Sequence, residues 1–267
     1  MSKPVFELED LNYSYLGKFP ALSDINLKIE AGEKVALLGA NGTGKSTLLH
    51  ILDALVFPDA GSIRFSGQDL NENVFNDEKF SRDFRRRVGL VFQNPDVQLF
   101  CPTVKEDIVF GPLQLGIAQN EIKKRLDNLV EILNIRDLVN RQPHQLSVGE
   151  KKKVSIASVL IIEPEVLLLD EPTAGLDPAT CRQLLDLIDD FHAQGRTVIT
   201  ATHDLHMVPE LAEDLRILNK ERTITAAGPC KDLLANQDLL KQNNLVHIHK
   251  HRHDGSWHKH PHQHSPS

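Results

Sequence analysis

No stretch of this 267-residue chain approaches the ~20 consecutive apolar residues that a membrane-spanning helix needs. Its first residues, Met1-Ser2-Lys3-Pro4-Val5-Phe6-Glu7, lack the apolar run of a signal peptide. The chain is therefore expected to work at a membrane only by binding a partner that spans it. Basic charge is also in short supply. Thirty-seven Asp and Glu outnumber 30 Lys and Arg, a net of −7 with histidine neutral. A general nucleic-acid binder needs basic surface to displace counterions, so that class is disfavoured. Cysteine is sparse: Cys101, Cys181 and Cys230 are far apart, odd in number and without CxxC spacing. Reduced thiols in the cytosol are the simple reading. No internal repeat is present. Hydrophobic content is an ordinary 40%, enough for one large α/β domain or two small ones.

Against these absences stand three dense signals. Residues 4–30 alternate apolar and polar stretches and predict strands. Lys34-Val35-Ala36-Leu37-Leu38 is a short apolar strand running into Gly39-Ala40-Asn41-Gly42-Thr43-Gly44-Lys45-Ser46, and a helix is predicted from Ser46 onward. Strand, glycine loop and helix are the context that a GxxxxGK[ST] phosphate loop requires. Residues 61–92 carry further strand signals, ending in Val88-Gly89-Leu90-Val91-Phe92. Asn120 is placed to cap a helix in which Ile122, Leu126, Leu129, Val130 and Leu133 recur at helical spacing, and residues 148–162 read as helical too. Val166 to Leu169 and Thr197 to Ala201 are apolar runs suited to strands buried on both faces, with a helix from Pro178 to Phe191 between them. Leu215–Leu218 and Thr223–Ala226 predict a last strand pair. After Leu245 the composition turns to His, Lys, Pro and Ser, and a disordered tail is expected.

The chemistry follows from charge. Glycines at 39, 42 and 44 let backbone N–H groups approach phosphate oxygens at the positive end of the following helix. Lys45 supplies a point charge for the β- and γ-phosphates, and Ser46 a hydroxyl for Mg²⁺. Asp170 ends a buried strand, where an unpaired carboxylate is costly, so a metal ion is its natural partner. Glu171 next to it can orient or deprotonate an attacking water. Two acidic residues merely ending a strand in solvent are the plainer reading. Pro172-Thr173-Ala174-Gly175-Leu176-Asp177, directly after them, weighs against it.

With Leu146-Ser147-Val148-Gly149-Glu150 about twenty residues before those carboxylates, residues 4–228 resemble the ATP-binding cassette of ABC transporters. That resemblance implies an α/β P-loop NTPase core with an N-terminal antiparallel β subdomain and a helical signature subdomain at about 94–164. It makes 1–228 the ATP-binding domain, and 229–267 a short C-terminal helix and a His-rich disordered tail. It further implies that Tyr15 stacks on adenine (Tyr13 competes), that Gly39, Asn41, Gly42, Thr43, Gly44, Lys45, Ser46 and Thr47 hold the phosphates, and that Ser46, Gln93 and Asp170 serve Mg²⁺. Glu171, His203, Gln93 and Lys45 would be catalytic. In that family two cassettes pair head to tail, so Ser147 and Gly149 would meet the ATP of the opposite subunit, and Asp177 would touch the opposite site. The usual signature is LSGGQ. Val148 for Gly leaves dihedrals that suit glycine in question, and Ser147-x-x-Glu150 also reads as a capping box.

Phe92 to Phe100 and Thr103 to Pro112 narrow the resemblance to ATPase subunits of energy-coupling-factor transporters, which take up vitamins, cobalt or nickel. Val97, Leu99 and Phe100 would line a groove for a coupling helix, unless they are core. The implied partners are a transmembrane coupling subunit, a substrate-binding membrane subunit and a second cassette, in a homodimer peripheral at the cytoplasmic face of the cell membrane; nucleic acid is not expected. Eight of the 13 histidines lie in the tail, at His247, His249, His251, His253, His258, His260, His262 and His264. Residues i and i+2 of an extended chain lie to one side, so these can chelate Ni²⁺ or Co²⁺. A solvating tail is the plainer reading. The expectation is an ATPase that energises nickel or cobalt import, with vitamin uptake, a non-transport ABC ATPase and metal storage as alternatives. A DNA-maintenance ATPase would need a long coiled-coil insertion, and metal storage leaves the cassette unexplained.

Overall fold

The computed structural model describes residues 4–253 and 256–262, the backbone alone from His247 onward. In chain order the elements are β1 (Pro4–Tyr15), β2 (Phe19–Glu30), β3 (Lys34–Leu38), α1 (Lys45–Leu52), β4 (Ala60–Phe65), β5 (Gln68–Asp69), α2 (Glu72–Phe75), α3 (Glu78–Arg87) and β6 (Val88–Val91). Then come α4 (Val104–Gln114), α5 (Gln119–Ile132), α6 (Val148–Leu160), β7 (Val166–Asp170), α7 (Pro178–Ala193), β8 (Thr197–Thr202), α8 (Val208–Leu211), β9 (Asp214–Leu218) and β10 (Ile224–Pro229). The chain ends in α9 (Cys230–Ala235), α10 (Gln237–Gln242), β11 (His247–His253) and β12 (Ser256–His262).

Two sheets frame the molecule. Strands β2-β1-β4-β5 form an antiparallel sheet, and β10-β9-β3-β8-β7-β6 a six-stranded one, parallel except for β10. Every residue of β3, β7 and β8 is buried, as expected of strands covered on both faces. Phe6, Leu22 and Ile29 from the antiparallel sheet share one core with Leu48 and Leu52 of α1 and Leu168 of β7. A second core joins α4, α5 and α6 to β7 and α7 through Ile108, Leu126, Val154 and Leu169. The P-loop α/β fold expected from the sequence, with its antiparallel sheet and helical part, is thus present.

Sheet register fixes the geometry of the site. Leu38 lies opposite Thr202, and Asp170 opposite Ala201. The carboxyl ends of β3, β8 and β7 therefore come out level and adjacent. Gly39, His203 and Glu171, each one residue beyond a strand end, share one crevice, the usual ligand position in such sheets.

Four differences from the sequence reading have physical causes. Residues 78–87 form α3, within a stretch where the sequence carries only strand signals. Three of its last residues are arginine and only Phe84 is buried, so apolar periodicity is nearly silent; Asp77 caps it through Lys79 and Phe80 N–H. Asn120 does not cap α5: the helix begins at Gln119, with Ala118 at the cap position. Two short helices, α9 and α10, follow residue 229 in place of one. Finally, where a disordered tail was expected, β11 and β12 pair antiparallel, His249 opposite His260. Two-residue alternation suits an extended strand as well as a coil. His264 lies outside the described residues.

Candidate active site

The crevice is built around the phosphate loop. Gly44, the residue before α1, has φ +97, and a Cβ there would lie 2.4 Å from the Ala21 carbonyl oxygen. A Cβ on Gly39 would lie 2.5 Å from Thr43 Oγ1 and 2.8 Å from the Leu218 carbonyl oxygen. Both positions accept only glycine, for close approach as much as for φ. Thr43, fully buried, donates to the Ala40 carbonyl at 2.9 Å and ties the loop to itself. The Lys45 ammonium donates to the carbonyls of Gly39 (2.8 Å) and Ala40 (3.3 Å) and lies 3.8 Å from Glu171 Oε1. Burial lowers its pKa, against the pull of Glu171 and Asp170.

The acidic pair differs in its partners. Asp170 is buried, which raises its pKa, while the Ser46 hydroxyl beside it pulls the other way. One of its oxygens, Oδ1, is buried without a hydrogen-bond partner. An orphaned buried carboxylate oxygen beside a serine hydroxyl, next to a phosphate loop, fits Mg²⁺, which is held by one or two protein ligands plus phosphate oxygens. Among the described residues no cluster of three or more His, Cys, Asp or Glu could hold a metal ion.

Glu171 leaves β7 with φ +44, a conformation costly for a side-chain-bearing residue and concentrated at functional sites. Its N–H donates to the Ala201 carbonyl at 2.9 Å. Its Oε2 accepts from the Thr202 hydroxyl at 3.1 Å, and its Oε1 lies 2.7 Å from His203 Nδ1. Glu171, His203 and Asn41 line one cavity with the run Thr173–Leu176 and with Asn244 and Leu245.

Tyr15 is partly exposed at the end of β1, with its hydroxyl 3.0 Å from Thr47 Oγ1 on α1. Tyr13 instead packs against the core, edge-on to Tyr15. Gln93 is exposed just past β6. Its carbonyl and that of Phe92 accept from the buried Lys152 ammonium at 3.1 and 3.2 Å. Burial lowers the Lys152 pKa to about 8, with Asp170 and Glu171 opposing.

Ser147 and Gly149 are not gathered around this crevice. The Ser147 hydroxyl donates to Glu150 Oε2 at 2.8 Å and accepts from the Glu150 N–H at 3.3 Å, a complete capping box at the start of α6. Val148 is the first helical residue, has no left-handed backbone and is 61% exposed. Valine therefore costs no backbone strain there. Asp177 caps α7 through the Ala179 and Thr180 N–H groups, both at 3.0 Å. The expected apolar groove also divides: Val97 and Phe100 are 66% and 67% exposed, whereas Leu99 is core. Leu99 is corrected to a packing residue, because its side of the turn faces α4 and α6.

Three residues missed in the sequence shape the site: Thr202, Lys152 and His50. The His50 pKa is lowered by burial and raised by Asp170. A threonine ending a strand and a lysine or histidine within a helix carry no local signal. Only the fold brings them here.

The model of the ABC transporter family matches residues 22–174. The nickel import ATP-binding protein NikO of Rhodobacter capsulatus is 47% identical over 246 residues, 91% of this chain and 96% of that protein. The energy-coupling factor transporter ATP-binding protein EcfA of Methanothermobacter thermautotrophicus is 40% identical over 241 residues, 90% of this chain and 76% of that one. The solved structure of cbiO1 from Clostridium perfringens, part of the ABC transporter complex cbiONQ, superposes with a TM-score of 0.76 at 37% identity, covering 91% of this chain and 96% of that one. The chain belongs to the ABC transporter ATP-binding family and is an ATP-hydrolysing subunit.

Proposed function

We propose that this ATPase energises import of a divalent transition metal, nickel or cobalt, through a membrane-embedded energy-coupling-factor transporter. The observation that carries the metal is the histidine-rich tail, in a chain 47% identical to a nickel import ATPase. In this reading the loop from Gly39 to Ser46, with Asn41, Thr43 and Thr47, binds the phosphates of ATP, and Tyr15 faces the adenine. Lys45 exchanges its loop carbonyls, those of Gly39 and Ala40, for phosphate oxygens. Asp170, Ser46 and Gln93 would hold Mg²⁺, which when bound neutralises charge on those oxygens.

Glu171 takes the proton of the attacking water. The water oxygen bonds to the γ-phosphorus in line, the bond to the bridging oxygen breaks, and ADP leaves with that electron pair. His203 meets Glu171 through Nδ1, which leaves Nε2 for the γ-phosphate. Ser147 and Gly149 act on the ATP of a second copy, and Asp177 reaches the same opposite site. Neither Ser147 nor Gly149 lines this chain's own cavity, which favours that pairing. Closure of the homodimer on ATP and its opening after hydrolysis drive a transmembrane coupling subunit and a substrate-binding membrane subunit. The chain sits peripherally at the cytoplasmic face of the cell membrane; no described helix is long and apolar enough to cross it. The exposed pair Phe100 and Phe110, in edge-to-face contact at 5.0 Å, suits a coupling helix.

Vitamin uptake is the second reading, favoured by the match to an energy-coupling factor ATPase whose name carries no metal. Co-purification with membrane subunits, followed by transport assays with nickel, cobalt and vitamins, separates the two.

A further inference from the structure

The loop that carries Gln93 is held by a helix rather than by the sheet. Strand β6 ends at Val91, so the carbonyls of Phe92 and Gln93 lie past its ladder. Both accept from one ammonium, that of Lys152 on α6, at 3.2 and 3.1 Å. Lys152 is 3% exposed, although Lys151 and Lys153 flank it in the chain. Taking an ammonium out of water is costly unless its hydrogen bonds and its charge are met. The carbonyls take two of its three donors. Asp170 and Glu171 lie near enough for their charge to offset part of the cost of burial.

Other ties run between the same loop and the same helix. Lys151 pairs with Asp96 at 2.6 Å. Gln98 donates to the Ser155 carbonyl at 2.8 Å and to the Ser158 hydroxyl at 3.0 Å, and its Oε1 accepts from the Phe92 N–H at 3.1 Å. Residues 151, 152, 155 and 158 fall on one side of α6, and residues 92–98 lie along it. The ties differ in weight. Asp96 is 63% exposed, and an exposed ion pair contributes little. Gln98 fixes the far end of the loop and the N–H of Phe92. Lys152 holds Gln93 itself. Filling alone does not call for a lysine here, since packed apolar atoms in place of a buried charge are often neutral or stabilising.

We propose that Lys152 is a positioning residue for ATP hydrolysis, which holds the Phe92 and Gln93 carbonyls to α6 and so fixes where the Gln93 side chain stands. Sheet register says what it stands beside. Val91 lies opposite Leu169, so Phe92 and Gln93 leave β6 level with Asp170 and Glu171. The inference rests on the reading of Gln93 as a residue that serves Mg²⁺ and the reacting phosphate. Gln93 is exposed, and on an untied loop it would be in place in only a fraction of molecules. Misplacement of a reacting group by ~1 Å costs up to ~10²-fold in rate. The hydrogen bonds of Lys152 go to the Gln93 loop and not to residues 39–47, so ATP affinity should not depend on it.

The full chain with Lys152→Met, with Gln93→Ala and with both tests this. Hydrogen exchange of the nucleotide-free chain reads the loop directly. Lys152→Met is expected to speed exchange across residues 92–98 at least about tenfold, while the amides of β7 keep their protection. Unchanged exchange in the loop overturns the tie. In steady-state kinetics kcat is expected to fall ~10–10²-fold in Lys152→Met, with ATP affinity by dialysis within about twofold of wild type. A wild-type kcat overturns the positioning role. So does a slow kcat that comes with lost ATP binding and a lower melting temperature, the mark of a merely structural lysine. The double variant should be no slower than Gln93→Ala, because Lys152 acts through Gln93. Losses that multiply would route Lys152 through another group and overturn the proposal. Lys152→Gln keeps a neutral donor, so its exchange and its kcat should fall between those of wild type and Lys152→Met; a kcat below the methionine variant contradicts the donor argument. Gln93→Ala hydrolysing at the wild-type rate would instead overturn the reading of Gln93, a failure told apart by loop exchange that is still fast in Lys152→Met.

Discussion

Replacing Glu171 with Gln changes one atom in the crevice, and the structure gives its consequences separately for folding, binding and rate. Glu171 is buried, accepts from Thr202 Oγ1 and lies against His203 Nδ1. Glutamine has the same shape. Its carbonyl oxygen can keep one of these contacts, and its amide can donate to the other, since a threonine hydroxyl rotates and a neutral imidazole has an acceptor nitrogen. Stability should therefore stay within ~1 kcal/mol, the range of one neutral hydrogen bond. Lys45 loses a carboxylate at 3.8 Å, and incoming phosphates lose a like charge, so ATP binding should hold or tighten. Proton acceptance from water is lost. Removal of a positioned base costs ~10²–10⁴ in rate, which is ~2.7–5.4 kcal/mol of transition-state stabilisation. Phosphate release, nucleotide dialysis and thermal melting on the same preparation read the three quantities. A wild-type rate would remove Glu171 from the chemistry. A slow rate accompanied by lost ATP binding or a melting temperature lower by many degrees would refute the isosteric reasoning.

Other substitutions probe other parts of the account. Gly44→Ala places a methyl 2.4 Å from the Ala21 carbonyl oxygen at φ +97, so nucleotide binding should be lost together with ~1–3 kcal/mol of stability, measurable by dialysis and urea melts. Phe100→Glu should leave melting and ATP binding unchanged but abolish pull-down of the membrane subunits, whereas Leu99→Asp, in the core, should lower the melting temperature itself; matching outcomes for the two would erase the distinction. Asp53 is buried beside Arg85 at 3.2 Å, and burial pushes its carboxyl up from 3.8 to about 7. Because its folded-state pKa is raised, its contribution to stability is complete below about 4 and lost as pH rises through about 7. Wild-type stability should then fall relative to Asp53→Asn by on the order of 1–3 kcal/mol between pH 5 and pH 8, and parallel curves would contradict the burial argument.

Much of the site could be read from the chain because its chemistry is local. A phosphate loop needs glycines, a lysine and a serine in one octapeptide, and a buried carboxylate suited to a metal ion shows as an apolar strand that ends on it. Both appear as contiguous residues. What escaped is what tertiary neighbours decide. Lys152 looks like one of three lysines on a helix surface, yet it is buried and holds the carbonyls of Phe92 and Gln93. Leu99 and Phe100 are adjacent and equally apolar, and only packing against α4 and α6 separates core from surface. The arginine-rich α3 hides from periodicity because one buried phenylalanine is its whole apolar face. Dyad-spaced histidines say that an extended segment would present them together, but the register that pairs His249 with His260 is a property of two strands.

The central claim is that ATP hydrolysis at this crevice drives a metal ion inward. ATP-dependent uptake of radiolabelled nickel and cobalt into proteoliposomes, carrying this chain with its membrane subunits, tests it most directly. Accumulation of one or both ions is expected, and Glu171→Gln should abolish it. Vitamin uptake under the same conditions, with no ATP-dependent entry of either metal, would contradict it.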